Sequence, residues 1–116
     1  MAPPKIESYR FGRMVVDGAA YTRDLILLPD QVIENWWRKE GHRLTPADLE
    51  PILEAAPDVL VVGTGAFGRM KVGEEARRAL ATAGIKLIAA STGDAVRRYN
   101  DLREQKRTAG AFHLTC

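Results

Sequence analysis

The run Val59-Leu60-Val61-Val62, closed by Gly63, constrains this chain more than any other stretch of it. Consecutive apolar, mostly β-branched residues leave no polar face. A strand built from them must be covered on both sides, as the inner strands of a parallel sheet are. A second buried strand is expected at Ile85–Ala90. Between the two, a helix is expected from Gly73 to Ala83, with Ala76, Ala79 and Leu80 inward and Gly84 as its C-terminal cap. Strand, helix and strand at this spacing predict a parallel pair joined by a right-handed crossover.

The remaining segments fall into order around that unit. Ile6 to Asp17 is rich in β-formers, with Gly12 marking a bend or bulge within it. Asp17-Gly18 is a hairpin turn signal, because both residues tolerate positive φ. A further strand over Ala20–Leu28, stopped by Pro29-Asp30, completes an antiparallel meander. Gln31 to Leu44 reads as an irregular loop with at most a short strand. Thr45-Pro46-Ala47-Asp48 opens a helix: Thr45 caps, Pro46 suits the first turn, and Asp48 reaches back. Leu49, Ile52 and Leu53 form its buried stripe, and Pro57 ends it. Ser91 or Thr92 caps a third helix, Gly93 to Lys106, whose inner face is Ala95, Val96, Tyr99 and Leu102. Ala109–Leu114 is the last strand. The order implies a three-layer α/β domain, an antiparallel β-meander packed beside a mixed sheet that contains a parallel βαβ unit. A chain of 116 residues, 46% of them hydrophobic, suits a single domain over 1–116 with a flexible, Pro-rich start at 1–5.

A formal charge of +2 is too small to imply nucleic acid or an anionic membrane by itself. One cysteine, Cys116, cannot build an internal disulfide framework. No stretch approaches the ~20 apolar residues of a membrane span, and Met1-Ala2-Pro3-Pro4-Lys5 has no apolar signal core. The expected location is cytoplasmic, or the mitochondrial matrix if the source is eukaryotic.

Four groups of residues invite a functional reading. Gly63-Thr64-Gly65-Ala66-Phe67-Gly68 matches G-x-G-x-x-G directly after a buried strand. A dinucleotide cradle also needs a helix N-terminus at once and an acidic residue after the next strand. Here Arg69-Met70-Lys71-Val72 alternates, and Ile85–Ala90 runs into Ser91-Thr92-Gly93, so no cofactor is expected. Two readings stay open: a structural glycine turn, or a small-anion site formed by Gly63, Thr64, Gly65 and Gly68 with Arg69, Thr92 and Arg107 nearby. His113 and Cys116 are three apart, so on a continuing strand they face opposite sides, and no catalytic pair is assigned. Two histidines and one cysteine are too few for a structural zinc site, and no metal is expected. Trp36-Trp37-Arg38, with His42 after Gly41, suits an interaction surface, one indole facing inward and the other at a rim. Arg97, Arg98, Arg103, Lys106 and Arg107 are interleaved with Asp94, Asp101 and Glu104. That is a solvated helix face, and no nucleic-acid partner is expected.

The order of several motifs adds to this. Tyr9-x-Phe11-Gly12 is followed by Asp17-Gly18, Tyr21-x-x-Asp24 and Trp37-Arg38. Then come Pro57-Asp58-Val59-Leu60-Val61-Val62-Gly63-Thr64-Gly65, Thr92-x-x-Ala95-x-x-x-Tyr99-Asn100 and Phe112-His113-Leu114-Thr115-Cys116. Over nearly its whole length the chain resembles the Mth-domain family, which includes the adipogenesis-associated Mth-domain protein and mitochondrial complex I assembly factors. The resemblance implies a small three-layer α/β fold, in agreement with the reading of the residues. It implies no assigned activity for most members and no catalytic residues to carry over. Because a mitochondrial relative assists assembly of a respiratory complex, it implies a protein-binding role. Gly63, Gly65, Thr92, Arg107 and His113 are shared positions that suit either a pocket or a structural role. The leading expectation is a non-enzymatic interaction or assembly module with a protein partner. The alternative is a small-ligand binder or enzyme using the Gly63–Gly68 loop.

Overall fold

A computed structural model describes residues 2–116. Its centre is a five-stranded sheet made of β4 (Leu25–Leu28), β5 (Gln31–Ile33), β7 (Val59–Thr64), β9 (Lys86–Ala90) and β10 (Thr108–His113). Their order across the sheet is β5-β4-β10-β7-β9. Strand β7 pairs parallel with β9 on one side and with β10 on the other, and β4 runs antiparallel to β10.

Why β7 needs no polar face is visible in where its side chains go. Leu60 and Val62 enter one apolar core and Val61 the other. The same period of two runs through β4, with Ile26 and Leu28 on one face and Leu25 and Leu27 on the opposite one. One face is covered by a 3₁₀ turn, Pro46–Leu49, leading into α1 (Glu50–Ala55), and by α2 (Glu74–Thr82). A two-stranded parallel ladder, β6 (Arg43–Leu44) with β8 (Lys71–Val72), joins that layer. The other face is covered by α3 (Thr92–Leu102) and by the antiparallel sheet of β1 (Ile6–Arg10), β2 (Arg13–Val16) and β3 (Ala19–Tyr21). This is the three-layer arrangement with a meander beside a mixed sheet. From β7 the chain crosses through α2 to β9, then returns through α3 past β7 to β10. Crossovers of one hand in opposite directions place their helices on opposite faces.

Several boundaries differ from the sequence reading. The segment 6–17 is two strands, since Phe11-Gly12 forms a turn with Gly12 at φ +77°. The segment 20–28 is also two strands, in different sheets. Asp24 separates them, and its side chain is drawn down to β10, as described below. The third helix ends at Leu102, well short of Lys106, and Arg97 pairs with Asp94 in its first turns. The expected loose start is tied down over 3–5. Arg103 Nε donates to the Pro3 carbonyl, Tyr99 Oη donates to that of Pro4, and Lys5 N–H donates to Asp17. The hairpin signal held, with Asp17 at φ +46° and Gly18 at φ +84°. No helix among the described residues is long and apolar enough to cross a membrane.

Candidate functional site

Parallel pairing brings the carboxyl ends of β7, β9 and β10 to one edge. The antiparallel β4 contributes its beginning there, Phe112 lying opposite Leu25. Asp24, one residue earlier, therefore faces His113. Its Oδ1 accepts the Leu114 N–H at 2.8 Å. Its Oδ2 takes Arg38 Nη1 at 2.7 Å and His113 Nδ1 at 2.8 Å. Burial pushes the Asp24 carboxyl up, but the hydrogen bonds from His113, Leu114 and Arg38, with the charge of His113, outweigh it. Its pKa is held below the ordinary value. The short contact to the carboxylate requires a proton on His113 Nδ1, which donates to Asp24. Arg38 Nη2, 3.2 Å from the same nitrogen, is then a neighbour of the ring and not a donor to it. The Arg38 carbon lies 4.8 Å from the centroid of Trp36, and His42 stands edge-on to His113 at 5.8 Å between centroids. His113 Nε2 and Arg38 Nε are buried without a partner. Neither residue lines the larger surface clefts.

The glycine loop closes this edge from the other side. Gly65 N–H donates to Thr92 Oγ1 at 2.9 Å, and that hydroxyl donates to the His113 carbonyl at 2.6 Å. Ala66 N–H goes to the Thr115 carbonyl, Gly68 N–H to that of Gly65, and Met70 N–H to that of Thr64. These amides bind the protein's own carbonyls and the Thr92 hydroxyl, and the next helix begins only at Glu74. The amides of Gly65, Ala66, Gly68 and Met70 are therefore not free to cradle a phosphate. The glycines answer to packing. A Cβ at Gly63 would lie 2.8 Å from the Phe112 ring and 2.9 Å from Thr92 Oγ1. At Gly65, φ +104°, it would lie 2.9 Å from His113 Cδ2.

Gly63, Thr64, Gly65, Gly68 and Thr92 are gathered as the sequence reading had them. Arg69 is exposed beside them. Arg107 is a correction: it precedes β10, so it lies at the opposite end of the sheet. Its N–H bonds to Asp58 and its guanidinium to the Ala55 carbonyl. One further residue of the expected interaction surface is corrected: Arg38 is buried on Asp24. Of the two indoles, Trp36 is the inward one, 8% exposed with Nε1 donating to the Asp48 carbonyl at 3.1 Å. The outward residues are Trp37, 78% exposed, and His42. Two further aromatics at this edge went unread, Phe11 at 58% and Phe67 at 70% exposed, with ring centroids 6.5 Å apart. Thr115 connects the three. It lines a 620 Å³ cleft together with Trp37, Arg23 and Asp24, its carbonyl holds Ala66, and its methyl lies under Gly12. Asp24 was also missed as a site residue, although it stands in the Tyr21-x-x-Asp24 motif, immediately before the apolar run Leu25–Leu28.

Fold and site together define a three-layer α/β domain with a buried Asp–His–Arg cluster beneath an exposed aromatic edge. A family model described as "Protein of unknown function (DUF498/DUF598)" matches residues 6–113, and the chain belongs to that family. A conserved hypothetical protein from Pyrococcus horikoshii OT3 is 28% identical, with a TM-score of 0.83 over 97% of this chain and 99% of that one. A protein from Bartonella henselae described as an outer membrane protein is 25% identical, with a TM-score of 0.82 over 100% of both chains. A Bordetella pertussis protein described as a Mth938-like domain shares the fold, with a TM-score of 0.68 at 22% identity over 96% and 85% of the two chains. The Mth-domain resemblance is thereby shown.

Proposed function

We propose that this chain is a non-enzymatic protein-interaction module whose contact surface is the aromatic edge of the central sheet. One observation carries the reading. Phe11, Trp37 and Phe67, the large hydrophobic side chains that stay exposed among the described residues, all stand at the edge where β7 and β10 end. Scattered exposed apolar residues need no explanation, but three large aromatics gathered around one segment do. Aromatic anchors are what interfaces concentrate.

The layer beneath suits that role. Arg38 ties the loop carrying Trp37 to Asp24, and its Nη2 also donates to the Gly41 carbonyl at 3.1 Å. Thr92 and the glycines fix the loop carrying Phe67. Rigid presentation lowers the ordering cost of association. The resemblance to respiratory-complex assembly factors supplies the partner's class, a subunit awaiting its neighbours in a larger assembly. The lone exposed thiol of Cys116 fits a reducing compartment, the cytoplasm or the mitochondrial matrix.

Site-specific photo-crosslinking in the native host tests the reading. A benzophenone side chain at position 37 or 67 is expected to give one discrete protein adduct, with none from position 75 on α2. Equal labelling from all three positions, or none from 37 and 67, overturns it.

A further inference from the structure

Three unpaired cations stand at the aromatic edge. Arg10 flanks Phe11, Arg69 lies two residues after Phe67, and Arg23 shares the cleft beside Trp37. All three are exposed, and none forms an ion pair among the described residues. Of the acidic residues near this edge, Asp24 is engaged with Arg38 and His113. Asp94, in the first turn of α3, is paired with Arg97, while Glu34, beside Arg23 in a small groove, and Glu40 face solvent without a partner. The opposite end of the sheet differs. Its 700 Å³ cleft mixes Asp30, Asp58 and Glu104 with Arg103, Lys106 and Arg107, so its charges offset one another.

Resting on the interaction-module reading, we infer that the edge receives an acidic peptide segment of the partner, with an apolar side chain set between its carboxylates. The apolar side chain packs on Phe11 and Phe67 or beside Trp37. The carboxylates meet Arg10, Arg23 and Arg69, whose guanidinium groups donate to them in a bidentate fork. Unpaired cations at a rim steer an oppositely charged segment and fix its register. A single-stranded nucleic acid would also meet cations and rings. However, the Phe11 and Phe67 rings are tilted 47° to each other and close on one another, so they do not offer stacked faces to successive bases.

Selection of random short peptides displayed on phage against the immobilised full chain tests this. Enriched sequences are expected to place Asp or Glu on both sides of an aromatic or leucine. A synthetic peptide of that consensus is expected to bind ~tenfold or more weakly to Arg10→Glu/Arg69→Glu, and to weaken as salt rises. Enrichment of uncharged apolar peptides that still require Phe11, Trp37 and Phe67 would overturn the acidic partner and leave the interaction surface standing. Enrichment unchanged by Phe11→Ala/Trp37→Ala/Phe67→Ala, or none at all, would sink both. Tighter binding of oligothymidylate than of the consensus peptide would overturn the inference in favour of nucleic acid. Circular dichroism of each variant checks that it is folded.

Discussion

Asp24 concentrates more interactions than any other side chain at the candidate site. It accepts from Arg38, His113 and the Leu114 amide, and all three lose their partner if it changes. Asp24→Asn should lower stability by about 3–5 kcal/mol in urea denaturation, because the Arg38 guanidinium is left buried without its counter-charge. Asp24→Asn/Arg38→Met should recover part of that loss, since no lone charge is then buried. The sign of the pH dependence follows from the lowered pKa. Its contribution is fully present above the ordinary carboxyl value and disappears as the pH falls through the folded one. Wild type should therefore lose stability with falling pH below about 4, and the Asp24→Asn variant should lose less over the same range. None of this was legible in sequence. Asp24 and His113 are 89 residues apart, and nothing local marks an acid as the partner of a distant imidazole.

At the scale of elements, the glycine-rich turn and α3 act as one joint. Thr92, the first residue of α3, is fully buried and holds the Gly65 amide and the His113 carbonyl with one hydroxyl. Thr92→Val keeps the shape but leaves both backbone groups without a partner. It should cost about 2–4 kcal/mol and raise the hydrogen-exchange rate of the Gly65 amide. Gly110 on β10 matters for a different reason. A Cβ there would overlap the Phe112 ring and stand 3.1 Å from Tyr99 Cδ1, where those two rings pack edge to face at 5.7 Å. Gly110→Ala should destabilise by about 1–3 kcal/mol in thermal melts, as overpacked cores do. The G-x-G-x-x-G pattern was plain in the sequence, but its meaning was not. Whether backbone amides face a ligand or a neighbouring carbonyl depends on which segments lie against the loop.

For the whole molecule, the layers are joined by α3. Asn100 pairs with both backbone groups of Ile6, and Tyr99 Oη donates to the Pro4 carbonyl at 2.7 Å. Burial pushes the Tyr99 phenol well above its ordinary value of 10.0. A raised pKa gives stability that is complete below the ordinary value and lost as the pH climbs towards the folded one. Unfolding should therefore set in above about pH 10, and Tyr99→Phe should flatten that alkaline slope in denaturant titrations. From the sequence alone came the central strands and the three helices (but not the short strands β6 and β8), the parallel pairing of β7 with β9, the Asp17-Gly18 hairpin and the helix start at Thr45. Each is set by short-range pattern: continuous apolar runs, tolerance of positive φ, or a capping side chain. The tertiary structure decided that β10 is inserted between β7 and β4, and with it everything at the carboxyl edge. That insertion sets Asp24 opposite His113, sends Arg107 to the far end, engages the loop amides and leaves Phe11, Trp37 and Phe67 outside. Strand order is a matter of which distant surfaces fill one another, and a sequence of local preferences carries no coordinate for it.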